Sequence, residues 1–138
     1  MKQKLISILM ALSITSNVIY AKDKPKSLLD LNFIGVEAAA ERWGNAPFSP
    51  SAFKKADEKK RASMAGDLIR SKKYVGKRFS EVRQDLGEWD GYFQTDSIPA
   101  YSIESANTGS KEAWLVVFLP DPSGRKVGEI KILKECCD

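Results

Sequence analysis

The chain contains no histidine and only two cysteines, Cys136 and Cys137. Without histidine there is no Ser-His-Asp or Cys-His nucleophilic machinery and no histidine-ligated metal site. Two thiols alone are too few for a metal centre of the usual kind, so no cofactor or metal is expected. Long apolar runs are also lacking. The longest, Leu5 to Ile14, is about half of the ~20 residues that span a bilayer. No cysteine stands near residue 21, where a bacterial lipoprotein needs one after signal removal, so no lipid anchor is expected.

The apolar run does have a place in a different pattern. Lys2 and Lys4 precede it, and a polar stretch, Thr15–Asn17, leads on to Ala21. This is the three-part layout of a secretory signal peptide, with cleavage expected after Ala21. The chain from Lys22 onward loses two lysines and no acid, which reduces the net charge from +4 to +2. The product is expected to be periplasmic or secreted. Its 117 residues suit one domain.

Local patterning divides that chain. Residues 22–50 read as an N-terminal extension with one helix. Val36, Ala39, Ala40 and Trp43 recur at helical spacing before Gly44, which predicts a helix over Phe33–Trp43. Residues 51–138 read as the main domain. Ser49 or Ser51 caps a predicted long helix to Ser71, with Pro50 at its first turn. Its apolar stripe is Phe53, Ala56, Met64, Ala65, Leu68 and Ile69, and Gly66 inside it suggests a close crossing. Phe79, Val82 and Leu86 at i, i+3, i+7, followed by Gly87, predict a short helix closed by a left-handed glycine. Strands are predicted over Ala100–Glu104, Ala113–Leu119 and Val127–Leu133, the last two joined by the turn Asp121–Gly124. Helices first and strands last give an α+β class, with N-terminal helices packed on a three-stranded antiparallel meander.

Gly76–Asp90, GKRFSEVRQDLGEWD, resembles the segment that begins and ends a helix in the SmpA/OmlA-type small lipoproteins of outer-membrane assembly. Gly76, Val82, Leu86 and Gly87 carry the likeness. Arg78 stands at the family's capping position and Trp89 at that of its proline. Upstream, Arg61–Met64 (RxxM) and Asp67–Ile69 (DLI) are similar to a related group of uncharacterised exported bacterial proteins. The resemblance implies two helices on a three-stranded antiparallel sheet, shared with β-lactamase-inhibitor-protein-like domains. It speaks to fold more than to function. The missing lipid-attachment cysteine makes an accessory of outer-membrane assembly the alternative rather than the first reading.

Four features could carry chemistry. Ser51–Lys54 matches S-x-x-K, but its partner motifs are absent, and a capping serine beside a solvated lysine is the favoured reading. Glu81, Asp85, Glu88 and Asp90 could form the paired carboxylates of a small hydrolase if they converged in a cleft; a solvated acidic face is favoured. Lys54, Lys55, Lys59 and Lys60 could contact anionic lipid, although a solvated helix face is favoured and nucleic acid is not expected. The adjacent Cys136 and Cys137 are read first as reduced or as a strained vicinal disulfide, and second as an intermolecular bridge. A redox catalyst ranks last.

One further cluster is Trp89, Tyr92 and Phe93, in an aperiodic segment after the short helix. Two readings stay open. The rings fold back as a lid or an edge strand, or they form a surface patch that touches a partner. The functional expectation is a small exported, non-catalytic binding domain that engages an envelope protein.

Overall fold

The computed structural model describes residues 32–105 and 112–135. The signal segment, Cys136 and Cys137 lie outside the described residues. The elements are β1 (Phe33–Ile34), α1 (Val36–Trp43), α2 (Pro50–Lys55), α3 (Glu58–Ser71), α4 (Phe79–Leu86), β2 (Ala100–Glu104), β3 (Ala113–Pro120) and β4 (Val127–Glu135). The class is α+β, and the described residues form four helices and a four-stranded antiparallel sheet in the order β1-β4-β3-β2.

Two sequence expectations are corrected. The sheet has four strands rather than three, because Phe33 and Ile34 pair with Leu133 and Ile132 instead of starting the first helix. Gly35 is extended, and the helical spacing of the apolar residues begins only at Val36. The long helix over Ser51–Ser71 is two helices. Ala56 and Asp57 are extended, and the Asp57 carboxylate accepts the Lys60 N–H at 2.9 Å to cap α3. Lys60 interrupts the apolar stripe at the place where a continuous helix would have needed a core residue. The cap of α2 is Ser49, with Pro50 in the first turn.

All four helices lie on one face of the sheet. Alternation along the strands sends Tyr101, Ile103, Trp114, Val116, Phe118, Ile130 and Ile132 to this face, where they join Phe53, Ala65, Leu68, Val82 and Leu86. Phe48, Phe53, Tyr101, Phe118 and Tyr74 close a circuit of edge-to-face rings, with centroids 5.4–6.1 Å apart. Such pairs contribute roughly 0.5–1.5 kcal/mol each beyond area burial. Ile34, Ala39 and Trp43 of the N-terminal extension belong to the same cluster. The extension is further latched by Arg42, which pairs with Glu104 at 2.9 Å and lies over the Trp43 and Trp114 rings. Asp67 of the DLI stretch accepts the Phe48 N–H at 2.7 Å and so fixes the connector between α1 and α2.

At α4, Val82 and Leu86 are fully buried and Phe79 is half-buried. Arg78 sits at the N-cap and offers no side-chain acceptor. Glu81 reaches back instead and accepts the Arg78 N–H at 2.8 Å. Gly87 ends the helix at φ 86°, the left-handed region that favours glycine.

Gly66 marks the crossing of α1 over α3. A Cβ there would meet the Val36 carbonyl at 3.6 Å and its Cγ1 at 3.7 Å, which are ordinary contacts. Gly66→Ala is therefore expected to stabilise the fold by up to about 1 kcal/mol, since alanine favours the helix without displacing α1. A urea titration checks this, and a lower midpoint would mean that the crossing is tighter than these distances.

Candidate functional site

The residues from Gly87 to Pro99 form a strap that leaves α4, turns around the free edge of β2 and crosses to the other face of the sheet. Its start is held by Tyr101, whose hydroxyl donates to the Gly87 carbonyl at 2.7 Å. Trp89 is half-buried against the helix-side core. The Arg83 guanidinium lies 4.5 Å from its ring, and its Nε1 donates to the Asp96 carbonyl at 3.0 Å.

Asp90 and Gly91 then occupy the edge of β2 that, among the described residues, no strand pairs. The Asp90 carboxylate accepts the Ser102 N–H at 3.0 Å and a bond from Arg61 at 2.7 Å, while Gly91 N–H donates to the Ala100 carbonyl at 2.8 Å. Arg61 also donates to the Ser102 carbonyl and lies 5.8 Å from the Phe53 and Tyr101 rings. The arginine of the RxxM motif thus joins the aromatic circuit to the strap. An open strand edge invites pairing with other chains, and the strap closes this one.

Glycine at 91 is a packing requirement. A Cβ would lie 2.7 Å from Leu115 Cδ2 and 3.0 Å from the Ala100 carbonyl oxygen. Gly91→Ala is expected to cost about 1–3 kcal/mol, the range for forcing atoms into a packed site. An unchanged denaturation midpoint would show that the strap lifts off β2 at no cost.

Beyond the edge, Tyr92 and Phe93 reach the outer face. Phe93 packs with Leu119 against a second cluster of Ile98, Ala100, Leu115, Val117 and Leu133. Tyr92 is 56% exposed, and its hydroxyl donates to the Gln94 carbonyl at 2.8 Å. Gln94 takes φ 62° within a tight turn in which Thr95 N–H donates to the Phe93 carbonyl. Tyr92, Phe93 and Gln94 form one wall of a groove of about 310 Å³; Leu115 and Leu133 line its floor, and Asn32 and Glu135 lie at its end. Phe33, opposite Leu133 on the same face, is also exposed. The three aromatics predicted as one cluster are therefore divided. Trp89 supports the strap from the helix side, and Tyr92 and Phe93 share the outer groove.

The other candidates are placed separately. Ser51 is exposed on α2 and contacts Ser49 Oγ at 3.2 Å, while Lys54 Nζ donates to the Gln84 carbonyl. The carboxylates have distinct partners: Glu81 caps α4, Asp85 accepts the Tyr74 hydroxyl at 3.1 Å, Glu88 lies 3.4 Å from Arg83, and Asp90 holds Arg61. Glu81 and Asp85 line one cleft with Lys73 and Lys77, and Glu88 and Asp90 do not reach it. Lys54 and Lys55 lie on α2 and Lys59 and Lys60 on α3, all exposed. Among the described residues no three acidic or thiol side chains converge as metal ligands, and no helix is long and apolar enough to cross a membrane.

The arrangement missed by sequence reasoning is the Arg61–Asp90 pair and the close approach of Gly91. RxxM was visible as a motif, but nothing local pointed to a partner 29 residues away. Comparisons of the chain with family models, with curated proteins and with solved structures gave no match.

Proposed function

We propose that this chain is a small, non-catalytic binding domain of the bacterial envelope that engages a protein partner through the outer groove beside Tyr92 and Phe93. The observation that carries the reading is Tyr92. It is a large aromatic that is mostly exposed, yet it stands on a strap fixed to the sheet edge by Asp90 and Gly91. A held aromatic above an apolar floor loses little conformational freedom on binding, and tyrosine is enriched at binding hot spots. The envelope setting rests on the sequence, through the three-part leader and the likeness of Gly76–Asp90 to outer-membrane assembly lipoproteins. The non-catalytic part of the reading is supported by the partners of the carboxylates: Glu81 and Asp85 share a cleft, but Glu81 caps α4 and Asp85 accepts from Tyr74, and Glu88 and Asp90 lie outside that cleft.

Tyr92→Ala tests it. The melting temperature is expected to stay nearly unchanged, since exposed substitutions usually fall within about 0.5 kcal/mol. Binding of the captured envelope partner is expected to weaken about tenfold or more, as for a hot-spot aromatic. Equal binding by wild type and Tyr92→Ala would remove the groove from consideration.

A further inference from the structure

The strap is pinned near its start by the Arg61–Asp90 pair, and the cation of that pair is incompletely matched. Only 14% of the Arg61 side chain is exposed, and its NH1 serves both Asp90 and the Ser102 carbonyl. Its Nε is shut off from solvent and has no hydrogen-bond partner among the described residues. Glu58 Oε2 is in the same condition, and Glu58 takes part in no ion pair among the described residues. A donor and an acceptor of opposite charge are both buried without a partner, which is costly for each.

The two residues are neighbours. Glu58 and Arg61 stand three residues apart on α3, a spacing that puts their Cβ atoms about 5–6 Å apart on one face. Both lie along β2: Arg61 meets Ser102, and Glu58 lines a cleft with Ile103 and Glu104, the next two residues. Glu104 is already held by Arg42 at 2.9 Å and does not compete for Arg61. Trp43 Nε1 is also buried and unpartnered, and Trp43 lines the same cleft. It is a neutral donor on a ring packed edge-to-face against Trp114, and a guanidinium is the stronger partner for a carboxylate. Asp90, by contrast, has 49% of its side chain exposed, so water can take the place of Arg61 there.

We propose that Arg61 is a two-position latch between Asp90 and Glu58. Paired with Asp90, it holds the strap against β2. Turned to Glu58, it matches the two buried atoms and leaves Asp90 to water, so the start of the strap is held on β2 mainly by the bond from Gly91 N–H to the Ala100 carbonyl. Tyr92 and Phe93 follow directly on the strap, so the position of Arg61 sets how firmly that wall of the outer groove stands. This consequence rests on the function proposed above; the latch itself does not.

The experiment is native-state hydrogen exchange on the chain from Lys22 to Asp138, the product expected of signal removal. It follows the Gly91 and Ser102 amides, which close the β2 edge, with the Val116 amide at the centre of β3 as the reference for global opening. Glu58→Gln removes the charge at the second position, and both edge amides are expected to exchange severalfold more slowly relative to Val116. Asp90→Asn weakens the first position, and both are expected to exchange severalfold faster relative to Val116. Unchanged or faster relative exchange in Glu58→Gln overturns the latch, as does unchanged relative exchange in Asp90→Asn. If the latch is overturned while Tyr92→Ala still weakens partner binding, the function reading stands without it. If both variants behave as expected and Tyr92→Ala binds the partner like wild type, the latch stands and the function reading falls.

Discussion

Leu86→Ala is expected to lower the unfolding free energy by about 2–5 kcal/mol, the range for emptying a leucine site in a packed core. Leu86 is 1% exposed and lies one turn from the fully buried Val82, so α4 presents both to the helix-side cluster. Gly87 follows immediately in the left-handed region, and Tyr101 donates to its carbonyl. The backbone around the missing side chain is therefore held on both sides and cannot collapse to fill the space. A domain of this size is stable by only about 5–15 kcal/mol, so the substitution removes a large fraction of the total. Leu86→Met, which keeps the volume, should cost less than about 1.5 kcal/mol. Urea denaturation of both variants checks this. A wild-type midpoint in Leu86→Ala would contradict the docking of α4 and with it the α+β assignment.

The second large effect is expected in alkali. Burial pushes the hydroxyls of Tyr74 and Tyr101 well above the usual tyrosine range. At Tyr74 the bond donated to Asp85 and the charge of that carboxylate add to the burial. At Tyr101 the nearby Arg61 opposes it, and Asp90 and Glu88 reinforce it. A folded-state value raised above the unfolded one means that the native state keeps its protons after the unfolded chain has lost them. The stabilisation is complete below about pH 10, the ordinary tyrosine value, and is lost progressively as pH rises above it. Each buried tyrosine contributes a slope of about 1.4 kcal/mol per pH unit in that window. Tyr101→Phe should remove one share of the slope while also losing the bond to Gly87. Denaturation midpoints measured from pH 8 to 12 decide it, and a flat profile above pH 10 would place both hydroxyls in water.

These two expectations draw on different parts of the sequence record. The Leu86 site was legible because its spacing with Phe79 and Val82, and the glycine after it, are local signals. The strands β3 and β4 were legible for the same reason, since alternation and the turn at Asp121–Gly124 lie within a few residues. β1 was not, because two residues carry no period and their partner is a hundred residues away. The break at Asp57 had a faint signal: a capping residue, and a lysine where the apolar stripe should continue. The strap was illegible as a path. Its course depends on Asp90 meeting Arg61 and Ser102, and on Gly91 touching Leu115 and Ala100. None of these pairings leaves a trace in neighbouring residues. The three aromatics could therefore be recognised as a candidate cluster, but not sorted between the two faces of the sheet.

The central claim is that the outer groove is where a partner touches. The most direct test is site-specific photo-cross-linking in envelope extract, with a benzophenone amino acid in place of Tyr92. The control carries the same group in place of Val75, an exposed position beside the other end of β4. The account predicts one discrete adduct from position 92 and none from position 75. No adduct from position 92, or the same adducts from both positions, would contradict it.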